Sequence, residues 1–161
     1  MHERKRLRLA GFDYSSRRHY FVTICVKEHK RSFGTIENKS MQLSSNGIIA
    51  MEQWNWLGNQ YQYINLISFV IMPDHVHGII FIDSDYYIDA TGNGRDHSRP
   101  KIKPLPELIG AYKTTVSKRI HMAGDLSFKW QNSYHEWIIR NDFSLNRIKK
   151  YIDTNPENWM E

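Results

Sequence analysis

The alternation of apolar and polar positions divides the chain into a short series of elements. Residues 20–26, Tyr-Phe-Val-Thr-Ile-Cys-Val, form a β-branched and aromatic run of strand type. Segments 33–36 and 41–43 read as a small hairpin around Asn38, Lys39 and Ser40. Ser44 or Ser45 suits the cap of a helix over about 47–59, with Ile48, Ile49, Trp54 and Leu57 as its apolar contacts. Two strongly apolar runs, 66–71 and 78–82, read as buried strands joined by a turn at Pro73-Asp74. Residues 83–103 combine Gly92, Gly94 and Pro100 with Arg95, Arg99, Lys101 and Lys103, and the absence of periodicity predicts a mobile, basic surface loop.

A second helix is expected from near Pro106, where proline suits the first turn. Leu108, Ile109, Tyr112, Val116 and Ile120 make its apolar stripe, and Lys113, Lys118 and Arg119 its other face. A last strand covers about 128–139, and Asn141 or Asp142 caps a third helix that turns Leu145, Ile148 and Ile152 inward and ends at Pro156. The order strand, helix, two strands, helix, strand, helix is a split βαβ unit with one helix appended. It predicts an α+β fold of ferredoxin or RRM type, with a mostly antiparallel sheet and helices on one or both faces. The strands around Pro73-Asp74 are then adjacent and central. Neither a repeat nor a second domain is evident, so residues 1–161 are read as one domain.

Composition adds a partner class. The net charge of +5 and pI of about 9.3 favour a polyanion. Arg4, Lys5, Arg6, Arg8, Arg17 and Arg18 crowd the first 19 residues, either as a solvated, frayed terminus or as a basic arm on phosphates. The single cysteine, Cys25, excludes an internal disulfide and a cysteine-based zinc site; its apolar surroundings mark it as buried and inert. No apolar run approaches the ~18 residues of a membrane span, and the N-terminus lacks a signal-peptide core, so the expected compartment is the cytoplasm.

The chemistry centres on His75-Val76-His77. In a strand, residues i and i+2 share a face, so the two imidazoles point the same way and Val76 the other. Such a pair can be an inert, hydrogen-bonded feature of a sheet surface, but two neighbouring imidazoles on a half-buried face are also half of a metal site. Tyr151 and Asn155, four apart on the last helix, stack beside the Ile148/Ile152 stripe and should look toward the sheet. Alone, the first would be a packed aromatic and the second a helix-end residue before proline. Together with the histidines they suggest a phenol nucleophile and an amide ligand: tyrosine is a weak nucleophile at neutral pH, with a free pKa near 10, and gains from a metal that polarises a phosphate.

Three motifs, Met72-Pro73-Asp74-His75-Val76-His77-Gly78-Ile79-Ile80, then residues 130–141 (Trp-Gln-Asn-Ser-Tyr-His-Glu-Trp-Ile-Ile-Arg-Asn), then Tyr151-Ile152-Asp153-Thr154-Asn155-Pro156, resemble the REP-associated tyrosine transposases of the HUH single-tyrosine superfamily. The opening strand, Arg17 to Cys25, is similar too, and the likeness spans nearly the whole chain apart from 83–103. The resemblance implies that His75, His77 and Asn155 hold Mg²⁺ or Mn²⁺ and that Tyr151 attacks a phosphodiester of single-stranded DNA. A 5′-phosphotyrosine link and a free 3′-hydroxyl would result, without ATP, beside a hairpin of repeated palindromic sequence, in a monomer or homodimer. The family often has a histidine near Trp137, whereas this chain carries His135, so neither is assigned to the catalytic set. Arg17, Arg18, Lys113, Lys118 and Arg119 are candidate DNA contacts, and Trp54, Trp56 or Trp130 candidate stacking platforms for unpaired bases. The alternatives are a non-catalytic module for single-stranded nucleic acid, which would need exposed aromatics on the sheet face, and a domesticated descendant that keeps the site.

Overall fold

A computed structural model describes residues 9–89 and 100–160, so the arginines and lysine at positions 4–8, and Arg95 and Arg99 of the expected loop, lie outside the described residues. Strand β1 (Arg18–Cys25) is followed by the hairpin β2 (Gly34–Glu37) and β3 (Ser40–Leu43), helix α1 (Ser45–Gln60), strands β4 (Ile64–Ile71) and β5 (His75–Ile82), and a short helix α2 (Tyr86–Asp89). Helix α3 (Leu105–Met122), strand β6 (His135–Ile139) and helix α4 (Asp142–Asp153) complete the order, with a 3-10 turn at Pro156–Asn158. The main sheet runs β4-β5-β1-β6, every neighbouring pair antiparallel; the strands around Pro73-Asp74 are adjacent as expected, but only β5 is central with β1, while β4, like β6, is an edge strand. This is the α+β split βαβ arrangement expected from the sequence.

Strand alternation divides the side chains between two layers. On β1 the even residues Tyr20, Val22 and Ile24 are fully buried, and on β5 Val76, Ile80 and Ile82 are too. These face α1 and α3, whose Ile49, Trp54, Leu57, Leu108, Tyr112, Val116 and Ile120 close the main core. Gly78, on the same face of β5, meets the Trp54 ring directly, and no side chain would fit there. The odd residues point the other way. Ile79 of β5 and Ile139 of β6 join Leu145, Ile148 and Ile152 of α4 in a second, smaller core. Helix α4 lies over β4 and β5, so the second face is covered at one side only.

Several boundaries differ from the sequence reading. The last strand begins at His135 rather than near 128, because Ser133 takes a left-handed φ of 68° and breaks the extended run. Trp130 keeps only an isolated bridge to Val26. The hairpin turn is Asn38-Lys39, both at positive φ (50° and 62°), and Ser40 already belongs to β3. Ile48 lies on the solvent side of α1, capped by Ser44, rather than among its apolar contacts. Part of the 83–103 segment is helical, as α2. The end of the basic arm is not frayed: Tyr14 is buried in the main core and its carbonyl accepts from Leu105 N–H.

Candidate active site

The histidine pair owes its geometry to the turn before it. Met72 N–H donates to the His75 carbonyl and closes a tight connection between β4 and β5, so His75 starts β5 rather than preceding it. From there His75 and His77 both project onto the face that α4 partly covers, while Val76 enters the main core. Their Nε2 atoms approach to 3.0 Å. Each ring is held from behind: His75 Nδ1 lies 2.6 Å from Asp74 Oδ1, and His77 Nδ1 lies 2.8 Å from Thr23 Oγ1 on the neighbouring β1. Thr23 stands directly opposite His77 in the β1–β5 register. Asp74 uses its second oxygen on His29, 3.3 Å away.

His77 is 6 % exposed. Burial, and secondarily the neighbouring His75, pushes its imidazole from 6.5 down to about 3, so it is neutral across the physiological range. Asp74 accepts from His75 Nδ1–H, which turns His75 Nε2 toward His77. His77 has two choices. Its Nε2–H can donate to His75 while Thr23 donates to Nδ1; or its Nδ1–H can donate to Thr23, which leaves two Nε2 lone pairs converging. The second state suits a cation, and it has the pattern of metal-bound histidines oriented through their other nitrogen.

Tyr151 stands against this pair. Its ring is 5.4 Å from the His77 ring and 6.3 Å from Phe21, and Phe21 itself stacks on His77 at 5.4 Å. Unlike a packed core tyrosine it is 51 % exposed. Ile152, the next residue, anchors the helix in the second core. Asn155 lies where α4 gives way to the 3-10 turn; it is half-buried, its N–H donates to the Ile152 carbonyl and its own carbonyl accepts from Asn158. The segment then passes the histidines, with Trp159 at 6.2 Å from the His75 ring and Arg31 over the Trp159 ring. Among the described residues no group of three His, Cys, Asp or Glu side chains could hold a metal. Among the described residues the two imidazoles could therefore supply only part of a divalent-ion site.

The basic residues separate from this cluster. Arg17 and Arg18 lie at the opposite end of β1: Arg18 pairs with Ile82, seven residues along from the Cys25–His75 pair. Arg17 is bound to Asp83 at 3.2 Å and lies over the Phe81 ring. Lys113, Lys118 and Arg119 belong to α3, in the layer across the sheet. Lys113 Nζ donates to the carbonyls of Gln131 and Ser133, tethering the irregular segment before β6, and Arg119 pairs with Glu52 of α1 at 2.8 Å. Lys118 is exposed.

The expected stacking platforms all belong to the main-core side of the sheet. Trp54 is 0 % exposed, and Trp130 packs on Phe33, Phe128 and Tyr112 with its Nε1–H donating to the Lys113 carbonyl. Trp56 packs edge-on against Tyr61. The exposed tryptophan on the sheet is Trp137. The alternation of β6 carried that signal, since Trp137 sits between the half-buried Glu136 and Ile138 on the opposite face to the main core. Cys25 is buried, which raises its thiol pKa, as its apolar setting implied.

The strand order and the helix across one face give a fold shared with two solved proteins. A REP-associated tyrosine transposase solved bound to a REP hairpin superposes with a TM-score of 0.59 at 15 % identity, over 95 % of this chain and 74 % of that one. A candidate transposase from Deinococcus radiodurans R1 does so with a TM-score of 0.51 at 14 % identity, over 91 % of this chain and 95 % of that one. No family model matches the sequence. In sequence, the chain belongs to the same family as an uncharacterised protein of Haemophilus influenzae, 30 % identical over 170 residues, which span 100 % of this chain and 92 % of the relative. Among the described residues no helix is long and apolar enough to cross a membrane.

Proposed function

We propose that this protein is a transposase-like, metal-dependent endonuclease and strand transferase for single-stranded DNA at hairpins. The observation that carries the reading is the approach of the exposed Tyr151 ring to within 5.4 Å of His77, whose Nε2 converges with that of His75. In this reading Tyr151 Oη loses its proton and attacks phosphorus. The P–O3′ bond breaks, the departing oxygen takes up a proton as a 3′-hydroxyl, and the phosphate stays on the 5′ side, esterified to Tyr151. The number of phosphoester bonds is unchanged, so the step reverses on another 3′-hydroxyl without an energy source. His75, His77 and Asn155 would hold Mg²⁺ or Mn²⁺, which when bound supplies charge neutralisation at the phosphate. Asp74 and Thr23 fix the two rings so that both Nε2 atoms face one point. Phe21 and the second core hold Tyr151 beside them. Hairpin DNA as the substrate draws on the hairpin-bound structural neighbour.

Incubation with labelled hairpin DNA and Mn²⁺, followed by a denaturing gel, tests this reading. A protein–DNA band that disappears with Tyr151→Phe is expected. A band that persists in that variant would move the nucleophile elsewhere. The second reading, a non-catalytic module for single-stranded nucleic acid, draws support from the exposed Trp137 on the sheet. It predicts binding with no shifted band.

A further inference from the structure

The less covered half of the second sheet face is formed by β1 and β6, where Ile139 is buried under α4 but Trp137 and His135 are exposed. Register places His19 beside Ile139, Phe21 beside Trp137, and Thr23 beside His135 on this face. Helix α4 packs on β4 and β5 and leaves Trp137 64 % exposed on the edge strand. A large aromatic left bare on a strand is unusual for a side chain that stabilises chiefly by burial. Its same-face neighbour Phe21 is the ring that stacks on His77 and meets Tyr151. Trp137 therefore continues, outward from Phe21, the aromatic surface that lines the candidate active site. With about 3.3 Å per residue and 4.8 Å between strands, it lies roughly 12 Å from His77.

Two residues beyond, toward the end of the same strands, the character changes to basic. Arg17, Arg18 and Arg140 line a shallow pocket with His19, Phe81 and Ile139 at the start of α4, where Asp142 is the acidic member. Arg17 is engaged by Asp83, but Arg18 and Arg140 form no ion pair with described residues. Passing down β1 and β6, basic residues line the pocket at the strand ends, and the face then presents the Trp137 ring, the histidine pair and Tyr151. That sequence of charge and aromatic surface complements an unpaired strand, which offers phosphates and a base plane at every step.

We propose that Trp137 is the stacking platform for an unpaired DNA base flanking the scissile phosphate, with Arg18 and Arg140 holding the backbone next to it. The inference rests on the strand-transferase reading for its direction, because the strand it binds is the one delivered to Tyr151. Its test is binding without cleavage. Fluorescence anisotropy in chelator compares a flush DNA hairpin with the same hairpin carrying a single-stranded oligo-dT extension. The wild-type protein should prefer the extended hairpin. Trp137→Ala should weaken that complex by about 5- to 150-fold, the range of one lost base stack, and leave the flush hairpin unaffected. Trp137→Phe should keep most of the affinity, and binding should quench tryptophan fluorescence in the wild type but much less in Trp137→Ala. Because the side chain is exposed, the alanine variant should melt like the wild type.

Equal affinity of Trp137→Ala and wild type for the extended hairpin would overturn the platform, as would a wild type indifferent to the extension. Tighter binding of the hairpin with an oligo-U extension would overturn the assignment to DNA. The two readings fail separately. Loss of the platform with a normal covalent adduct leaves the transferase standing. Extension-dependent binding through Trp137 with no adduct would remove the transferase and keep the platform.

Discussion

The Nε2 atoms of His75 and His77 face one another at 3.0 Å, each ring clamped through Nδ1 by a different element. Two imidazoles in this posture either share one hydrogen bond or share a cation, and Thr23 must turn its hydroxyl to pass from the first state to the second. Mn²⁺ should accordingly raise the melting temperature of the wild type and not that of His75→Ala or His77→Ala. Thr23→Val and Asp74→Asn, which remove the outer partners, should weaken metal affinity by about 10- to 100-fold. Calorimetric titration with Mn²⁺ checks this; unchanged affinity in both would show that the clamps orient nothing.

The buried state of His77 carries a pH signature in metal-free protein. Its folded pKa is depressed to about 3 while the unfolded value is near 6.5, so the unfolded chain binds the extra proton between those limits. Stability from this group is complete above about pH 6.5 and falls as pH drops toward 3, with a slope of up to roughly 1.4 kcal/mol per pH unit. Urea unfolding at pH 7.5 and 5.5 in chelator should show the loss, and His77→Phe should reduce it. An identical pH dependence in the variant would place the titration in other groups.

Gly78 separates the histidine pair from the main core. A methyl group there would overlap the Trp54 ring, which is itself fully buried. Gly78→Ala should cost about 1–3 kcal/mol by overpacking. A combined Gly78→Ala, Trp54→Phe variant should recover part of that loss in denaturant unfolding. No destabilisation by Gly78→Ala would mean that the ring moves freely.

Lys118 and Arg119 sit across the sheet from the candidate site, and Arg119 is already paired with Glu52. Alanine at both should leave adduct yield within about two-fold of wild type, the scale of changes within ±0.5 kcal/mol at surface positions. Arg18→Ala and Arg140→Ala should weaken DNA binding and flatten its salt dependence, each by about one phosphate contact. Binding isotherms across a salt series distinguish the two sets, and a reversed ranking would put the DNA on the α3 layer.

The strand order and layers were legible because periodicity survives in elements with one buried face: α3 shows its stripe at Leu108, Ile109, Tyr112, Val116 and Ile120, all buried. The adjacency of His75 and His77 followed from the strand period alone. What the sequence concealed was which tryptophans are wet. Trp54 and Trp137 are identical in type, but the first meets a glycine across a helix–sheet interface and the second lies at the edge of a face that α4 covers only in part. The engagement of Lys113 was concealed for a related reason. Lys113 sits on the exposed side of a helical wheel, yet a loop from the 131–133 segment folds over it and uses all its visible hydrogen bonds for carbonyls. Nothing local to residues 105–122 encodes that loop.

The central claim is that Tyr151, whose ring α4 holds beside His77, becomes covalently joined to DNA through its hydroxyl. Protein recovered from a Mn²⁺ reaction with hairpin DNA, treated with nuclease and protease and mapped by mass spectrometry, should carry a nucleotide phosphate on the peptide containing Tyr151. A nucleotide found instead on a peptide containing Tyr134 or Tyr112, or on none while the DNA is cut, would contradict it.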